Sequence, residues 1–381
     1  MTYIYADKFY LPTEETEAGY LAVDGEKFGE FQTEKPSDGD IIDYSGYQVA
    51  PGFVDTHIHG FGGADIMDLD VDAVETISKG ITSNGVTSYL ATTLTSSKES
   101  LDEACRIIGE NADKLPGAKI AGIFLEGPFF SELHKGAQNP AYMSDPKIDY
   151  LAHWQELAKG LVRKIAIAPE RDGALEFIDY AKEHGIYVAL AHTDAKYDQC
   201  VEAVKHGANI FIHTFNGMRG IHHREPGTAG AALTIEDVFA EMICDGYHIH
   251  PAIAKLIKQA RGTDEVLLIT DCMRGGGLPE GKSSLGEFEV EIKDGAARLA
   301  SDGSLAGSVL NLNQAVKNIV DWGVATPAEA IKMASEVPAN SVGLGDQYGQ
   351  IAAGRDADFV VMNKDFDVKA TYINGEKVYD A

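Results

Sequence analysis

From position 50 onward, short apolar runs alternate with longer segments in which apolar residues recur every three or four positions. Such runs are typical of buried strands, and the longer segments are typical of amphipathic helices. The eight runs lie at 52–57, 86–93, 119–126, 162–168, 187–191, 210–213, 239–244 and 266–270. Helices are predicted at 71–84, 101–111, 174–184, 197–206, 253–260 and 310–322. This alternation predicts an α/β chain folded as a (β/α)8 TIM-type barrel, with a doubly wound open sheet as the alternative.

The two ends of the chain have a different pattern. Residues 1–49 and 350–381 contain short apolar runs separated by turn residues, and Asn374 with Gly375 forms a typical hairpin turn. Because few strands are stable alone, we expect both ends to pair in one small β-sandwich domain. The catalytic barrel is then expected at 50–349, with a β-hairpin insertion near 286–300.

Composition narrows the range of functions. The formal charge of −27 over 381 residues argues against nucleic acid or an anionic membrane surface as a partner, since either requires a basic face. A phosphate-bearing ligand would need local donors. The four cysteines are widely spaced and no apolar stretch has membrane length, so we expect free thiols and a soluble, cytoplasmic protein.

Six residues with metal-binding side chains occur at or just after the carboxyl ends of predicted strands. They are His57, His59, Glu126, His192, His213 and Asp271. In extended backbone, residues two apart face the same side, so His57 and His59 can face one point. The active sites of TIM barrels lie at the carboxyl ends of the strands. Each residue alone has a structural explanation, such as a helix cap, but six on one rim predict a metal centre.

The ligand types indicate the chemistry. Imidazole and carboxylate together suit one or two borderline divalent ions, with zinc expected first and iron, manganese or cobalt as alternatives. Such an ion lowers the pKa of a bound water to about 7. Asp271 can accept the proton of that water and pass it to a leaving group. The sequence contains no Gly-x-Ser-x-Gly elbow, so it predicts metal-dependent hydrolysis rather than acyl-enzyme chemistry.

The order of these residues resembles the amidohydrolase superfamily, and the local motifs resemble its N-acetylglucosamine-6-phosphate deacetylase family. Matching segments run in order from 51 to 358, among them Leu-Glu-Gly-Pro-Phe at 125–129 and Cys-Asp-Gly-Tyr-His at 244–248. The most specific is Phe-Asn-Gly-Met at 215–218 followed by Arg-Glu-Pro-Gly at 224–227. The resemblance implies hydrolysis of N-acetyl-D-glucosamine 6-phosphate to D-glucosamine 6-phosphate and acetate, in amino-sugar catabolism or recycling.

The resemblance also implies roles for individual residues. In this family the residues that match Glu126, His192 and His213 hold a metal ion, and the residue that matches Asp271 is the general base and acid. The sugar phosphate is bound by residues that match Asn216, Gly217, His248 and Arg224. The arginine reaches from the neighbouring subunit of a homodimer, and its planar side chain suits bidentate phosphate contacts.

Two positions distinguish this chain from other members of the family. Some members lack the His-x-His pair and use one ion, whereas this chain has His57 and His59, so one-ion and two-ion forms both remain open. In the two-ion form Glu126 would be the bridge. Members often have histidine where this chain has Gln138, which can donate a hydrogen bond to substrate but cannot become cationic. The resemblance therefore implies substrate binding by Gln138 and leaves its catalytic role open.

Two other functions are compatible with the sequence. One is an amidohydrolase that acts on a cyclic amide or an N-acyl amino acid, which would need a different phosphate region. The other is a non-catalytic amidohydrolase-like scaffold. Such scaffolds usually have lost metal ligands, and all six are present here.

Overall fold

The computed structural model describes residues 1–381, and the N-terminal part forms five strands. These are β1 (Thr2–Tyr10), β2 (Glu15–Thr16), β3 (Gly19–Asp24), β4 (Lys27–Gln32) and β5 (Asp40–Pro51). β1 lies between β3, with which it is antiparallel, and β5, with which it is parallel. Ile4, Ala6 and Phe9 of β1 are buried in a small separate core, which explains the apolar runs at this end.

The middle of the chain alternates strands and helices as predicted. Its strands are β6 (Phe53–Ile58), the short pair β7 (Gly60–Phe61) and β8 (Ala64–Asp65), then β9 (Val86–Thr92), β10 (Lys119–Glu126), β11 (Val162–Ile167), β12 (Tyr187–Leu190), β13 (Ala208–Phe211), β14 (Phe239–Met242) and β15 (Val266–Leu268). Its helices are α1 (Val71–Gly80), α2 (Lys98–Asn111), α3 (Ile148–Leu157), α4 (Ala174–Glu183), α5 (Tyr197–His206), α6 (Gly227–Thr234) and α7 (Pro251–Arg261).

Eight parallel strands form the barrel, in the order β6-β9-β10-β11-β12-β13-β14-β15. Past the ends of β6 and β15, a bridge between Ile58 and Cys272 brings the last strand beside the first. The backbone N–H of Asp271 donates to the carbonyl of His57 at 2.9 Å. The predicted (β/α)8 barrel is confirmed, and its near-closure places the ends of the first and last strands together.

Two helices of this middle part were not predicted, nor were two of the three that follow it, and the predicted helix at 71–84 is divided. It ends as α1 at Gly80, and a 3-10 turn covers Ile81–Asn84. Neither α3 nor α6 was expected. In α6, the sequence Gly-Thr-Ala-Gly-Ala-Ala-Leu-Thr is buried on almost every side, so it has no polar face to reveal a helical period.

The last part of the chain forms a small sheet, three helices and a final group of strands. These are β16 (Gly281–Leu285), β17 (Phe288–Lys293), β18 (Ala296–Leu299), α8 (Leu312–Asp321), α9 (Pro327–Met333), α10 (Glu336–Ser341), β19 (Phe359–Met362), β20 (Val368–Ile373) and β21 (Glu376–Asp380). β16, β17 and β18 are antiparallel, so the insertion near 286–300 is part of a three-stranded sheet that begins earlier.

Strands from both termini share one sheet, in the order β21-β20-β19-β5-β1-β3-β4. Its core includes Phe359 stacked on Tyr372, with ring centroids 4.3 Å apart. Lys119 of β10 ties this sheet to the barrel, because its Nζ lies 2.8 Å from a carboxylate oxygen of Asp358. The prediction that the two ends pair beside the barrel is confirmed. None of the helices has the length and apolar character needed to span a lipid bilayer.

Candidate active site

The six predicted metal ligands meet at the carboxyl end of the barrel. His57 lies on β6 and Glu126 is the last residue of β10. The others follow strands closely, His59 after β6, His192 after β12, His213 after β13 and Asp271 after β15. All six residues are buried. Because parallel strands end on one rim, residues far apart in sequence become neighbours.

The six side chains form two groups of possible metal ligands. One group is His57, His59 and Asp271, and the other is Glu126, His192 and His213. Within each group, one ligand atom per residue lies within 4.8 Å of the others. Each group supplies nitrogen and oxygen donors of the kind that zinc and similar ions accept.

Glu126 lies between the two groups. Its Oε1 is 3.3 Å from Nε2 of His192 and 3.4 Å from Nε2 of His213. Its Oε2 is 3.2 Å from Nε2 of His59. On the far side, Nε2 of His59 is 3.1 Å from Oδ1 of Asp271. Oε1 also lies 3.5 Å from Nε2 of His57, so the carboxylate of Glu126 contacts histidines of both groups.

Three of these residues have unusual backbone conformations. The φ angles of His192, His213 and Asp271 are +42°, +30° and +48°. Positive φ is uncommon outside glycine and costs of order 1 kcal/mol or more, so it persists where the surroundings impose it. The site also requires glycine at position 217, because a Cβ there would come within 2.9 Å of Nδ1 of His192.

Hydrogen bonds between Nδ1 and a backbone carbonyl orient two of the rings. The Nδ1 of His192 is 2.8 Å from the carbonyl of His134, and the Nδ1 of His213 is 3.0 Å from the carbonyl of Asn216. These contacts direct Nε2 of each ring toward Glu126. For His57, Nε2 is buried without a hydrogen-bond partner. Such a buried nitrogen, surrounded by carboxylates, fits a divalent cation.

The electrostatics of the site favour ionised carboxylates. Burial opposes the ionisation of Glu126, but hydrogen bonds from His192 and His213 outweigh it and hold the pKa of this carboxyl well below its usual range. Burial has the same effect on Asp271, yet the nearby His57 keeps the pKa of Asp271 below its ordinary value. Both carboxylates are therefore charged at neutral pH and available to accept a cation or a proton.

A second set of charged residues lies beneath the site and was not identified from the sequence. Lys164 of β11 and Glu241 of β14 are fully buried and paired, and Glu241 also contacts His57. Burial lowers the pKa of His57, but Asp271 and Glu241 raise it to about 9. Burial opposes the ionisation of Glu241, while Lys164 and His57 lower its pKa below the ordinary value. The sequence signal is a charged residue inside a mainly apolar strand.

A cavity of about 130 Å³ opens beside the two ligand groups. Besides five of the candidate ligands, its lining includes Gln138, Asn216, Gly217 and His248. The Nδ1 of His248 is 2.7 Å from a carboxylate oxygen of Asp245, which orients the ring. The structure thus brings these predicted substrate-binding residues to the cavity.

Two predicted substrate-binding residues differ in their surroundings. The amide of Gln138 is held at both ends, since Oε1 accepts from the Thr95 N–H at 2.9 Å and Nε2 donates to Oε2 of Glu126 at 2.7 Å. Arg224, in contrast, is exposed on a loop and does not line the cavity of its own chain. Its guanidinium contacts only the neighbouring His223, at 2.8 Å.

Comparisons with known proteins agree with this geometry. Residues 48–378 match the model of the amidohydrolase family. The chain is 39% identical over 343 residues to the N-acetylglucosamine-6-phosphate deacetylase of Vibrio furnissii, a match that covers 90% of this chain and 86% of the relative. It is 37% identical over 329 residues to the N-acetylgalactosamine-6-phosphate deacetylase of Escherichia coli O157:H7, covering 86% and 87%.

A solved structure is similar over nearly the whole fold. It is a mutant of the N-acetyl-D-glucosamine-6-phosphate deacetylase of Mycobacterium smegmatis in complex with N-acetyl-D-glucosamine-6-phosphate. The TM-score is 0.94 at 33% identity, and the match covers 99% of each chain. The terminal sheet and the barrel are therefore shared with that enzyme.

Proposed function

The chain belongs to the amidohydrolase family, and we propose that it hydrolyses N-acetyl-D-glucosamine 6-phosphate to D-glucosamine 6-phosphate and acetate. One observation carries the proposal: six metal-competent side chains cluster at one end of the barrel, and five of them line a single cavity together with Gln138, Asn216 and His248. Relatives with 39% and 33% identity bear the name of this activity. The product would enter amino-sugar catabolism or recycling.

We assign the metal ligands by their positions around Glu126. His192 and His213 with Glu126 would hold one ion, and His57 and His59 would hold a second, with Glu126 shared between them. Zinc suits both donor sets, as do iron, manganese and cobalt. When bound, a divalent ion lowers the pKa of a water molecule and polarises the carbonyl that is attacked.

Asp271 would move the proton. Its carboxyl has a lowered pKa and lines the cavity, so at neutral pH it is ready to accept a proton from the attacking water. The water oxygen bonds to the acetamide carbon as the carbonyl becomes an oxyanion. Asp271 then delivers the proton to the nitrogen as the carbon–nitrogen bond breaks. Acetic acid and the free amine are the products, and transfer of the acid's proton to the amine gives acetate and the ammonium form.

The remaining residues would bind and orient the sugar phosphate. Asn216 and His248 offer side-chain donors, Gly217 offers its backbone N–H, and the amide of Gln138 faces the same cavity. Because Arg224 is exposed outside this cavity, we propose that it binds the phosphate of a substrate in a neighbouring subunit of a homodimer.

The activity is tested by acetate release from metal-loaded protein. We expect turnover of N-acetyl-D-glucosamine 6-phosphate with a much higher kcat/KM than for unphosphorylated N-acetylglucosamine. Equal turnover of the two sugars would favour an amidohydrolase with another substrate class, and no acetate release would favour a non-catalytic scaffold. N-acetylgalactosamine 6-phosphate belongs in the same assay, because a relative with 37% identity is named for it.

Mixing two inactive variants tests the role of Arg224 across the interface. One variant is Arg224→Ala and the other is Asp271→Asn. In a mixed dimer, the chain that retains Asp271 receives Arg224 from its partner, so one complete site is restored. Random mixing should then recover about a quarter of the wild-type sites. If Arg224 acted within its own chain, mixing would recover no activity.

A further inference from the structure

A buried ion pair lies directly beneath the His-x-His segment. Lys164 and Glu241 have 0% exposure, although the other residues of their strands are apolar apart from Arg163. Buried charges are costly even when paired, and replacing such a pair with apolar residues is often neutral or stabilising. The fold alone therefore does not explain why this pair is present.

The buried pair contacts the side chain of one candidate metal ligand, His57, through Glu241. Glu241 accepts a hydrogen bond from Lys164 through Oε1, and its Oε2 is 3.0 Å from Nδ1 of His57. Oε2 also accepts from the backbone N–H of His213 at 3.3 Å. Lys164 is covered by the ring of Phe124, whose centroid is 3.9 Å from Nζ. Neither charged residue lines the cavity, so neither can contact substrate.

The contact with Glu241 determines which nitrogen of His57 is free. Oε2 of Glu241 already accepts from the backbone N–H of His213, so Nδ1 of His57 donates to the same oxygen and Nε2 is the nitrogen left to bind a cation. That Nε2 lies 3.5 Å from Oε1 of Glu126 and 3.4 Å from Oδ1 of Asp271. It therefore points at the place where a second ion would sit.

The other candidate ligand histidines are supported differently. His192 and His213 are oriented by neutral backbone carbonyls, and Nδ1 of His59 has no hydrogen-bond partner. Only His57 has a carboxylate hydrogen-bonded to its Nδ1. A carboxylate in this position fixes the ring and makes the ligand nitrogen more basic. The hydrogen bond from a histidine Nδ1 to a carboxylate therefore occurs only in the group of His57, His59 and Asp271. This is the group that would hold the second ion.

We propose that Glu241, with its charge balanced by Lys164, is a positioning residue that fixes His57 so that this chain holds a second divalent ion. This inference rests on the proposed function, since it assumes that the site binds metal. It also explains the buried pair, whose cost is offset by the orientation of a ligand. The pair acts through His57 and makes no contact with the reacting atoms.

The test compares two double variants by zinc titration. Lys164→Met with Glu241→Leu removes both charges and the acceptor, and should weaken binding of the second ion by about 10–100-fold while the first ion binds as in wild type. Lys164→Met with Glu241→Gln is the matched control, because it removes the same charges but keeps an acceptor for Nδ1. The control should bind the second ion more tightly than the Leu variant does.

The ratio of the affinities for the first and the second zinc ion separates positioning from a merely structural role. General destabilisation of the fold would weaken the binding of both ions. Wild type that holds one ion, or a Leu variant that holds two with wild-type affinities, would overturn the proposal. In zinc-loaded wild type, nitrogen NMR should show Nδ1 of His57 protonated and Nε2 bound, and the reverse would overturn it without any mutation. Wild type that binds two ions but releases no acetate would contradict the proposed function alone.

Discussion

Gln138 is expected to stabilise the active site through two buried hydrogen bonds. Replacing it with leucine, whose side chain is of similar size, removes both. The first is donated to Glu126 at 2.7 Å, and hydrogen bonds to charged groups contribute about 1.5–3 kcal/mol. The second is accepted from the Thr95 N–H at 2.9 Å, and a buried N–H without a partner costs about 1–3 kcal/mol. Gln138→Leu should therefore lower the free energy of unfolding by about 3–5 kcal/mol.

Urea unfolding of metal-free protein measures this loss, because a bound ion would add its own stabilisation by mass action. Catalysis should also suffer, since Glu126 loses the donor that holds it and a shift of about 1 Å can cost about 10²-fold in rate. Gln155→Leu is the matched control. Gln155 makes two hydrogen bonds to the backbone of Val162, at 2.8 and 3.2 Å, and does not line the cavity.

The control should lose stability and keep kcat/KM for acetate release. The reasoning would be refuted if Gln138→Leu changed the free energy of unfolding by less than about 1 kcal/mol, or if it kept the wild-type kcat/KM. Either result would mean that Glu126 is held without the amide of Gln138.

Three further predictions concern proton transfer, metal count and pH. Asp271→Asn should lower kcat by about 10²–10⁴-fold while elemental analysis still finds bound metal, and near-normal kcat would remove Asp271 as the base. His57→Asn with His59→Asn should reduce the metal content from two ions to one per chain, and an unchanged content would place both ions elsewhere. The hydrogen bond from Lys258 and the Thr326 cap lower the pKa of Glu329 to about 2, so its ionised form stabilises the fold above about pH 4.5 and this contribution is lost as pH falls toward 2. Glu329→Gln should thus lower Tm at pH 6 more than at pH 3, whereas an equal loss at both would contradict the assignment.

The sequence predicted the barrel and its metal-competent rim because both depend on local patterns. His57 or Glu126 is conspicuous at the end of an apolar run, and eight such runs in alternation with helices indicate which ends meet. Once the strands are assigned to a barrel, their carboxyl ends must lie together on one rim. The terminal sheet could be inferred for a related reason, since short strands at both ends need partners.

The parts that were missed depend on burial or on distant partners. Lys164 and Glu241 lie within strands, where a charged residue resembles an ordinary solvent-facing position until the strand is known to be buried on both sides. Helix α6 lacks a polar face for the same reason. The two hydrogen bonds of Gln138 join residues 12 and 43 positions away, and no local pattern encodes them.

Because the chain is strongly acidic, binding of a phosphate group would depend on a few hydrogen-bond donors near the cavity. No lysine or arginine lines the cavity, and the whole chain has a formal charge of −27, so the surrounding field disfavours an anion. His248 is the one imidazole of the lining outside the candidate ligands, and it is already paired with Asp245. A sugar phosphate would therefore gain its main positive partner from outside the cavity, and an exposed arginine such as Arg224 of a second chain meets that need. On this argument, assembly of two chains would complete the substrate site, whereas all six candidate metal ligands lie in one chain.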